Sequence, residues 1–238
     1  MVQRIKFLIE EFWQYIVFAY LFCMLGIFPL YYKEQYYGIG DSKFKFFWTI
    51  SLGFIGVSLV FIILKFVLQQ ILKQTFYKSK TENCYMTTEY KKENILWTCL
   101  DNLSGLDYIV FIYAICVLFS YMFSNFKDFA LKGAPGWNMG LYSQMIFVAL
   151  YFILSRQKDL FVKVQSLKGK NRYQDLAQLI LIVHLIASVL VFLLGILHRF
   201  EIDPLGMYVG LDLNQKIEFL STIGQATWFS SYVCTVFA

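Results

Sequence analysis

The sequence predicts an all-α, polytopic membrane protein with six transmembrane helices and a cytoplasmic amino terminus. Composition is the first reason: of 238 residues, 58% are hydrophobic, 20% aromatic and only 16% charged, outside the usual range of soluble domains. The second is that the apolar residues fall in blocks. Six stretches free of Asp, Glu, Lys and Arg run 19 to 23 residues each. About 20 helical residues, rising about 1.5 Å apiece, cross the roughly 30 Å hydrocarbon layer with every backbone group satisfied internally. Third, the longest connection, Lys65 to Asp107, has 43 residues, near the size below which a domain rarely folds without staples. No soluble domain fits between the blocks.

In chain order the spans are expected at about 12–32, 46–68, 106–126, 138–155, 176–197 and 219–238, within one transmembrane helical region covering 1–238. The first follows Arg4 and Lys6 as a signal peptide would, but its apolar run is too long for a typical signal core. Phe28, Pro29, Leu30, Tyr31 and Tyr32 make no small-residue cleavage site either, so it is read as a retained span. The second runs past a lone Lys65 into Phe66, Val67 and Leu68. In the fourth, Gly133, Ala134, Pro135, Gly136 and Gly140 form a turn, which places the helix start near Asn138 to Leu141. The fifth is apolar from Leu176 to Leu197, apart from Gln178, His184 and Ser188. The sixth carries Ser221, Thr222, Gln225, Thr227, Ser230 and Ser231, polar enough to need partner helices or a cavity.

Orientation follows from the basic residues. The amino terminus and the second and fourth connections hold 14 of the 21 Lys and Arg, the other connections seven. The excess places the former in the cytoplasm and the first, third and fifth connections outside. Tyr and Trp at span ends, such as Trp13, Tyr31, Trp48 and Trp137, suit interfacial anchoring. The net charge of +5 reflects this bias and anionic lipid at the inner surface, and makes no case for nucleic acid.

Little in the chain carries recognisable chemistry. Cys23, Cys84, Cys99, Cys116 and Cys234 show no metal-site spacing and are read as reduced packing cysteines. His184 and His198 lie about 21 Å apart along one helix and cannot share a metal. His184 is simplest as a neutral interhelical hydrogen-bond partner, with a proton relay as the alternative. No metal ligands, cofactor motif, Walker loop or nucleophile elbow are found. Asn102, Leu103 and Ser104 match a glycosylation acceptor but fall on the cytoplasmic side. Two outward patches stand out: Lys127, Asp128, Lys132, Gly133 and Trp137, and His198, Arg199, Glu201, Asp203 and Pro204. Lys132 and Arg199 are candidate contacts for lipid phosphate, and Trp137 offers a stacking face for a sugar or headgroup. The plainer account of both patches is a solvated interfacial turn.

Three stretches, taken in order, resemble the N-terminal part of the O-antigen ligase and oligosaccharide polymerase superfamily of bacterial membrane glycosyltransferases. In the first, a span opening at Asp107 and Tyr108 ends in Phe119 to Ser124. It leads through Lys132 and Gly133 to Gly140 and Leu141, like the family's serine-flanked turn, short outer loop and Gly-Leu helix start. The second is the fifth span running into Ile202, Asp203, Pro204, Leu205 and Gly206. The third is Ser221 to Tyr232, where Gln225, Ala226 and Thr227 stand in place of the family's usual Asn-Pro-Asn. The resemblance implies an enzyme, working without a metal ion, that moves an oligosaccharide from a polyprenyl diphosphate carrier to an acceptor sugar on the outer face of the cell membrane. The family's catalytic loop lies beyond anything matched here. The chain is therefore expected to be the front part of a longer protein, and no residue is assigned as catalytic. The competing class is a non-enzymatic membrane protein, such as a transporter subunit or structural helical bundle.

Overall fold

A computed structural model describes residues 2–33, 35–81, 103–156 and 172–237. Most of the lysine-rich connections, with Cys84, Cys99 and Asn102, lie outside the described residues. The chain runs as α1 (Val2–Phe22), a π-helical turn (Cys23–Ile27) and α2 (Phe28–Leu30), then α3 (Ile39–Thr81) and α4 (Gly105–Phe123). There follow the short α5 (Lys127–Lys132), α6 (Leu141–Ser155), α7 (Arg172–Arg199), α8 (Leu213–Glu218), the strands β1 (Phe219–Leu220) and β2 (Gly224–Gln225), and α9 (Ala226–Phe237).

Four of these helices are long and apolar enough to cross a membrane: Glu11–Leu30, Ile39–Leu68, Gly105–Phe123 and Leu176–Arg199. The protein is thus helical with the character of a multi-pass membrane protein. The other two blocks form shorter elements. α6 has 15 residues and α9 has 12. The expected span at 219–238 needs correction, because Phe219 to Gln225 is an antiparallel hairpin and the helix begins only at Ala226. Ser221 at φ 57° and Gly224 at φ 105° turn the chain there. A left-handed residue in a three-residue loop is a recurring hairpin closure.

Successive long helices alternate in direction, so the connections 31–38, 124–140 and 200–225 gather at one end, here called the connection end. Away from it, α1 packs on α3 through rings: Tyr20 stacks on Phe54 at 4.2 Å and Trp13 on Phe61 at 4.7 Å. Val17, Ile146 and Leu150 complete that core. Between helices in lipid the hydrophobic drive is small, and close packing with small or hydroxyl residues carries association. Accordingly Ser51 is buried against Tyr20, its Oγ 3.2 Å from the phenol oxygen, and Ser188 meets the Tyr232 hydroxyl of α9 at 2.9 Å.

Backbone irregularity explains several polar side chains. Pro29 has no N–H to offer the Leu25 carbonyl four residues earlier. His184, from mid-α7, lies with Nδ1 3.2 Å from that carbonyl; since a carbonyl only accepts, Nδ1 carries the proton. The open carbonyls at the end of the first span are met in the same way. Lys43 Nζ donates to Phe28 O at 2.8 Å and Pro29 O at 3.2 Å, and Thr222 Oγ1 donates to Pro29 O at 2.8 Å. At the opposite end Ser104 and Asp107 form a capping box that starts α4. The Asp107 carboxylate also accepts from Tyr151 at 2.9 Å and Arg156 at 3.1 Å, tying α4 to α6.

Candidate functional site

The connection end concentrates buried polar chemistry where α7 stops. Its hub is His198, in the last turn of α7, whose side chain is fully buried. The Ser221 backbone N–H, which can only donate, points at His198 Nδ1 at 3.0 Å. Nδ1 is therefore unprotonated, and the neutral ring carries its proton on Nε2. Nε2 faces Asp203 Oδ1 at 3.5 Å, long for a hydrogen bond, and neither atom has another partner among the described residues. The Tyr36 hydroxyl sits 3.0 Å from Nδ1 and donates to Ser221 O at 2.7 Å. Tyr208 closes the other side, its ring 4.8 Å from the imidazole and its hydroxyl donating to Phe219 O at 2.9 Å. Ser221 Oγ reaches back to Val191 O at 2.7 Å. Histidine, tyrosines and hairpin thus form one hydrogen-bonded plug.

Charge in the plug is set by burial and by aimed donors. Burial acts to raise the Asp203 carboxyl, but the backbone N–H groups of Tyr208, Met207 and Leu205 outweigh it and hold the group below the usual carboxylate range. Asp203 is therefore an anion at neutral pH. Burial, with Asp203 beside it, pushes the Tyr208 phenol up to about 12. The Tyr36 phenol is pushed up in the same way, by burial first and then by Tyr208 and Asp203. Both tyrosines stay protonated donors.

Against this plug lies an open cleft of about 250 Å³, walled by His198, Arg199, Glu201, Tyr208, Lys216 and Leu220. Arg199 ends α7 and Lys216 belongs to the last turn of α8, which an Asp212–Gln215 capping box starts. Two cations to one carboxylate give the cleft a net positive lining. Among the described residues no three His, Cys, Asp or Glu side chains come together as metal ligands.

The three candidate residues separate. Arg199 lies in this cleft. Lys132 is exposed at the end of α5. Trp137, 65% exposed, meets Trp228 of α9 edge-on at 6.1 Å, and its neighbour Asn138 donates to Asp41 at 3.0 Å. Lys127, from the same patch, is used locally: its Nζ donates to the last carbonyls of α4, Tyr121 O at 2.8 Å and Met122 O at 2.6 Å. The second patch holds together better, since His198, Arg199 and Glu201 all line the cleft and Asp203 lies against His198. Sequence reasoning missed Tyr36, Tyr208, Lys216 and Ser221. Nothing separates these tyrosines from interfacial ones before the fold brings Tyr36 across 162 residues to His198. Lys216 had a signal in the capped turn Asp212 to Glu218.

No family model, curated protein or solved structure matches this chain.

Proposed function

We propose that the protein is a multi-pass protein of the cell membrane with its amino terminus in the cytoplasm, and that its outward cleft at Arg199 and Lys216 takes the diphosphate of a polyprenyl-linked oligosaccharide. One observation carries the reading: two of the seven cations on the cation-poor side share a single cleft at a helix end. A guanidinium and an ammonium there suit paired phosphate oxygens. The exposed Trp137 and Lys132 offer further sugar and headgroup contacts along the same membrane face.

The O-antigen ligase resemblance supplies the reaction class. An acceptor hydroxyl, deprotonated by a base, attacks the anomeric carbon while cations stabilise the departing polyprenyl diphosphate. His198 is not that base on this reading, because its Nδ1 already accepts from the Ser221 N–H. That same engagement favours the second reading, a non-enzymatic membrane protein binding the same lipid-linked ligand.

The test is binding of a polyprenyl diphosphate oligosaccharide to the protein in nanodiscs. Arg199→Ala and Lys216→Ala should each weaken it by about ten- to 100-fold, the worth of one charge-assisted hydrogen bond. Equal affinity for wild type and the double variant removes the proposal. Glycan transfer to an acceptor distinguishes enzyme from binder. Labelling of Lys132→Cys by an impermeant maleimide on intact cells tests the orientation, which an unlabelled outer face would reverse.

A further inference from the structure

At the connection end three connections converge on a second spot with exposed chemistry. Gly133 and Gly140 close the loop between α5 and α6 backbone against backbone, since a Cβ on either would meet the other's main chain. Within that loop Gly133, Gly136 and Asn138 are left-handed, at φ 90°, 82° and 50°. Its middle lies on the start of α3, where a Cβ at Gly40 would meet Gly136 O at 3.0 Å and the Trp228 ring at 3.8 Å. These close approaches hold Trp137 edge-on to Trp228, with ring centres 6.1 Å apart and planes at 88°, and bring Asn138 Nδ2 to 3.0 Å from Asp41 Oδ1. Trp137 and Asp41 are both exposed. Beyond their mutual bond, the carboxylate keeps Oδ2 open and the amide keeps its second N–H and Oδ1, with no partner among the described residues.

Two indoles at right angles make a corner, and the corner stands beside one free donor and two free acceptors. An interfacial anchor needs the ring alone. Here a loop with a non-glycine residue in the left-handed region, a conformation that persists only where its surroundings hold it, sets the ring next to a hydrogen-bonding pair. We infer that this corner binds a pyranose ring. A hexose such as glucose or galactose has a face of axial C–H bonds that packs on an indole, and a rim of hydroxyls, each both donor and acceptor, that suits the Asp41–Asn138 pair. A quaternary ammonium also packs on indole faces, but it has no hydrogen to give Asp41 and no oxygen for the Asn138 amide. The corner adjoins the Arg199 cleft through the hairpin: Leu220 walls the cleft, and its register partner Gly224 lies against Trp228, where a Cβ would stand 3.6 Å from the ring. Paired residues are about 5 Å apart, so corner and cleft flank one ladder. The inference rests on the proposed function for the ligand's origin, and it names where the glycan of that ligand binds.

The experiment titrates the full chain in phosphatidylglycerol nanodiscs with two free saccharides, cellotriose and a β-linked galactotriose, and reads binding by saturation-transfer NMR. At least one should bind with a Kd of about 1 mM, with saturation concentrated on the axial C–H protons of one ring face. Trp137→Ala should weaken it about tenfold and Trp137→Phe about threefold, because the smaller ring keeps part of the stacking. Asp41→Asn should weaken it about fivefold, as a hydrogen bond to a charged acceptor becomes one to a neutral acceptor. An unchanged melting midpoint shows that these exposed positions were altered without unfolding. Wild-type protein supplies a comparison free of folding effects: sorbitol, which has the hydroxyls without the ring face, and choline should each bind about tenfold more weakly than the saccharide. No binding of either saccharide at about 10 mM, equal binding by folded Trp137→Ala, or choline binding more tightly than both saccharides would each overturn the site. The saccharides carry no phosphate, so the outcome here is separate from diphosphate binding at Arg199 and Lys216, which a polyprenyl diphosphate without sugar reads alone.

Discussion

Removing a single oxygen, in Tyr36→Phe, probes whether the hairpin is held by the histidine plug. The ring remains in place, stacked on Phe219 at 4.9 Å and 5.5 Å from Tyr208. What is lost is the hydroxyl that donates to Ser221 O at 2.7 Å and lies 3.0 Å from His198 Nδ1. Ser221 is 0% exposed, so water cannot replace the donor. A buried carbonyl left without its partner costs about 1–3 kcal/mol. The loss falls on Phe219 to Gln225, because the Trp13–Phe54 core touches none of the altered groups. Local opening of the hairpin should become easier by that amount, so its amides exchange about 5- to 150-fold faster. Hydrogen exchange read by mass spectrometry in nanodiscs compares a peptide over 219–225 with one over 146–154. Acceleration under twofold, or equal acceleration in both peptides, refutes the reasoning.

Other perturbations have definite signs. A Cβ at Gly26 would meet Val183 Cγ1 at 2.5 Å, so Gly26→Val should cost about 1–3 kcal/mol of overpacking strain, and Val183→Ala should recover part of the lost melting temperature. Asp203 sits below its unfolded value. Its contribution is therefore complete above about pH 4 and fades as pH falls through the folded value; Asp203→Asn should flatten the acid side of a melting-temperature profile. Tyr208, pushed up to about 12, contributes fully below its unfolded value of about 10 and loses that contribution as pH rises toward the folded value. Tyr208→Phe should remove that step from the tyrosinate absorbance titration.

How much of this was legible in the sequence depended on what each signal measures. A run without charges measures hydrocarbon thickness, and it located the four long spans. It does not measure helix length: α3 continues to Thr81 past Lys65, and α7 starts at Arg172, because a helix can continue into water once charged side chains are solvated. Nor is a charge-free run always helical. Ser221 and Thr222 spend their hydroxyls on Val191 O and Pro29 O, and those bonds fix a hairpin where composition alone predicted a span. The half of the site that was legible lies within six residues, His198 to Asp203. The half that was not comes from Tyr36 and Ser221, 162 and 23 residues from His198.

The placement of polar groups also separates structural from functional roles. In an apolar surround a buried polar side chain is stabilised by a partner, and along the spans those partners are backbone carbonyls or a neighbouring hydroxyl. His184 answers the carbonyl that Pro29 leaves, Lys43 and Thr222 answer the end of the first span, and Lys127 answers the end of α4. Each is accounted for by its position, so none calls for a ligand. The same accounting leaves Arg199 and Lys216, cations facing one cleft with no bonded acceptor among the described residues, and Gln14, whose buried amide has neither donor nor acceptor met among them. One remainder is charged and open at a membrane surface; the other is neutral and closed off inside the protein. Phosphate suits the first. The two predict different outcomes: Arg199→Ala should weaken diphosphate binding, and Gln14→Leu, which removes a closed-off amide away from the cleft, should leave it intact.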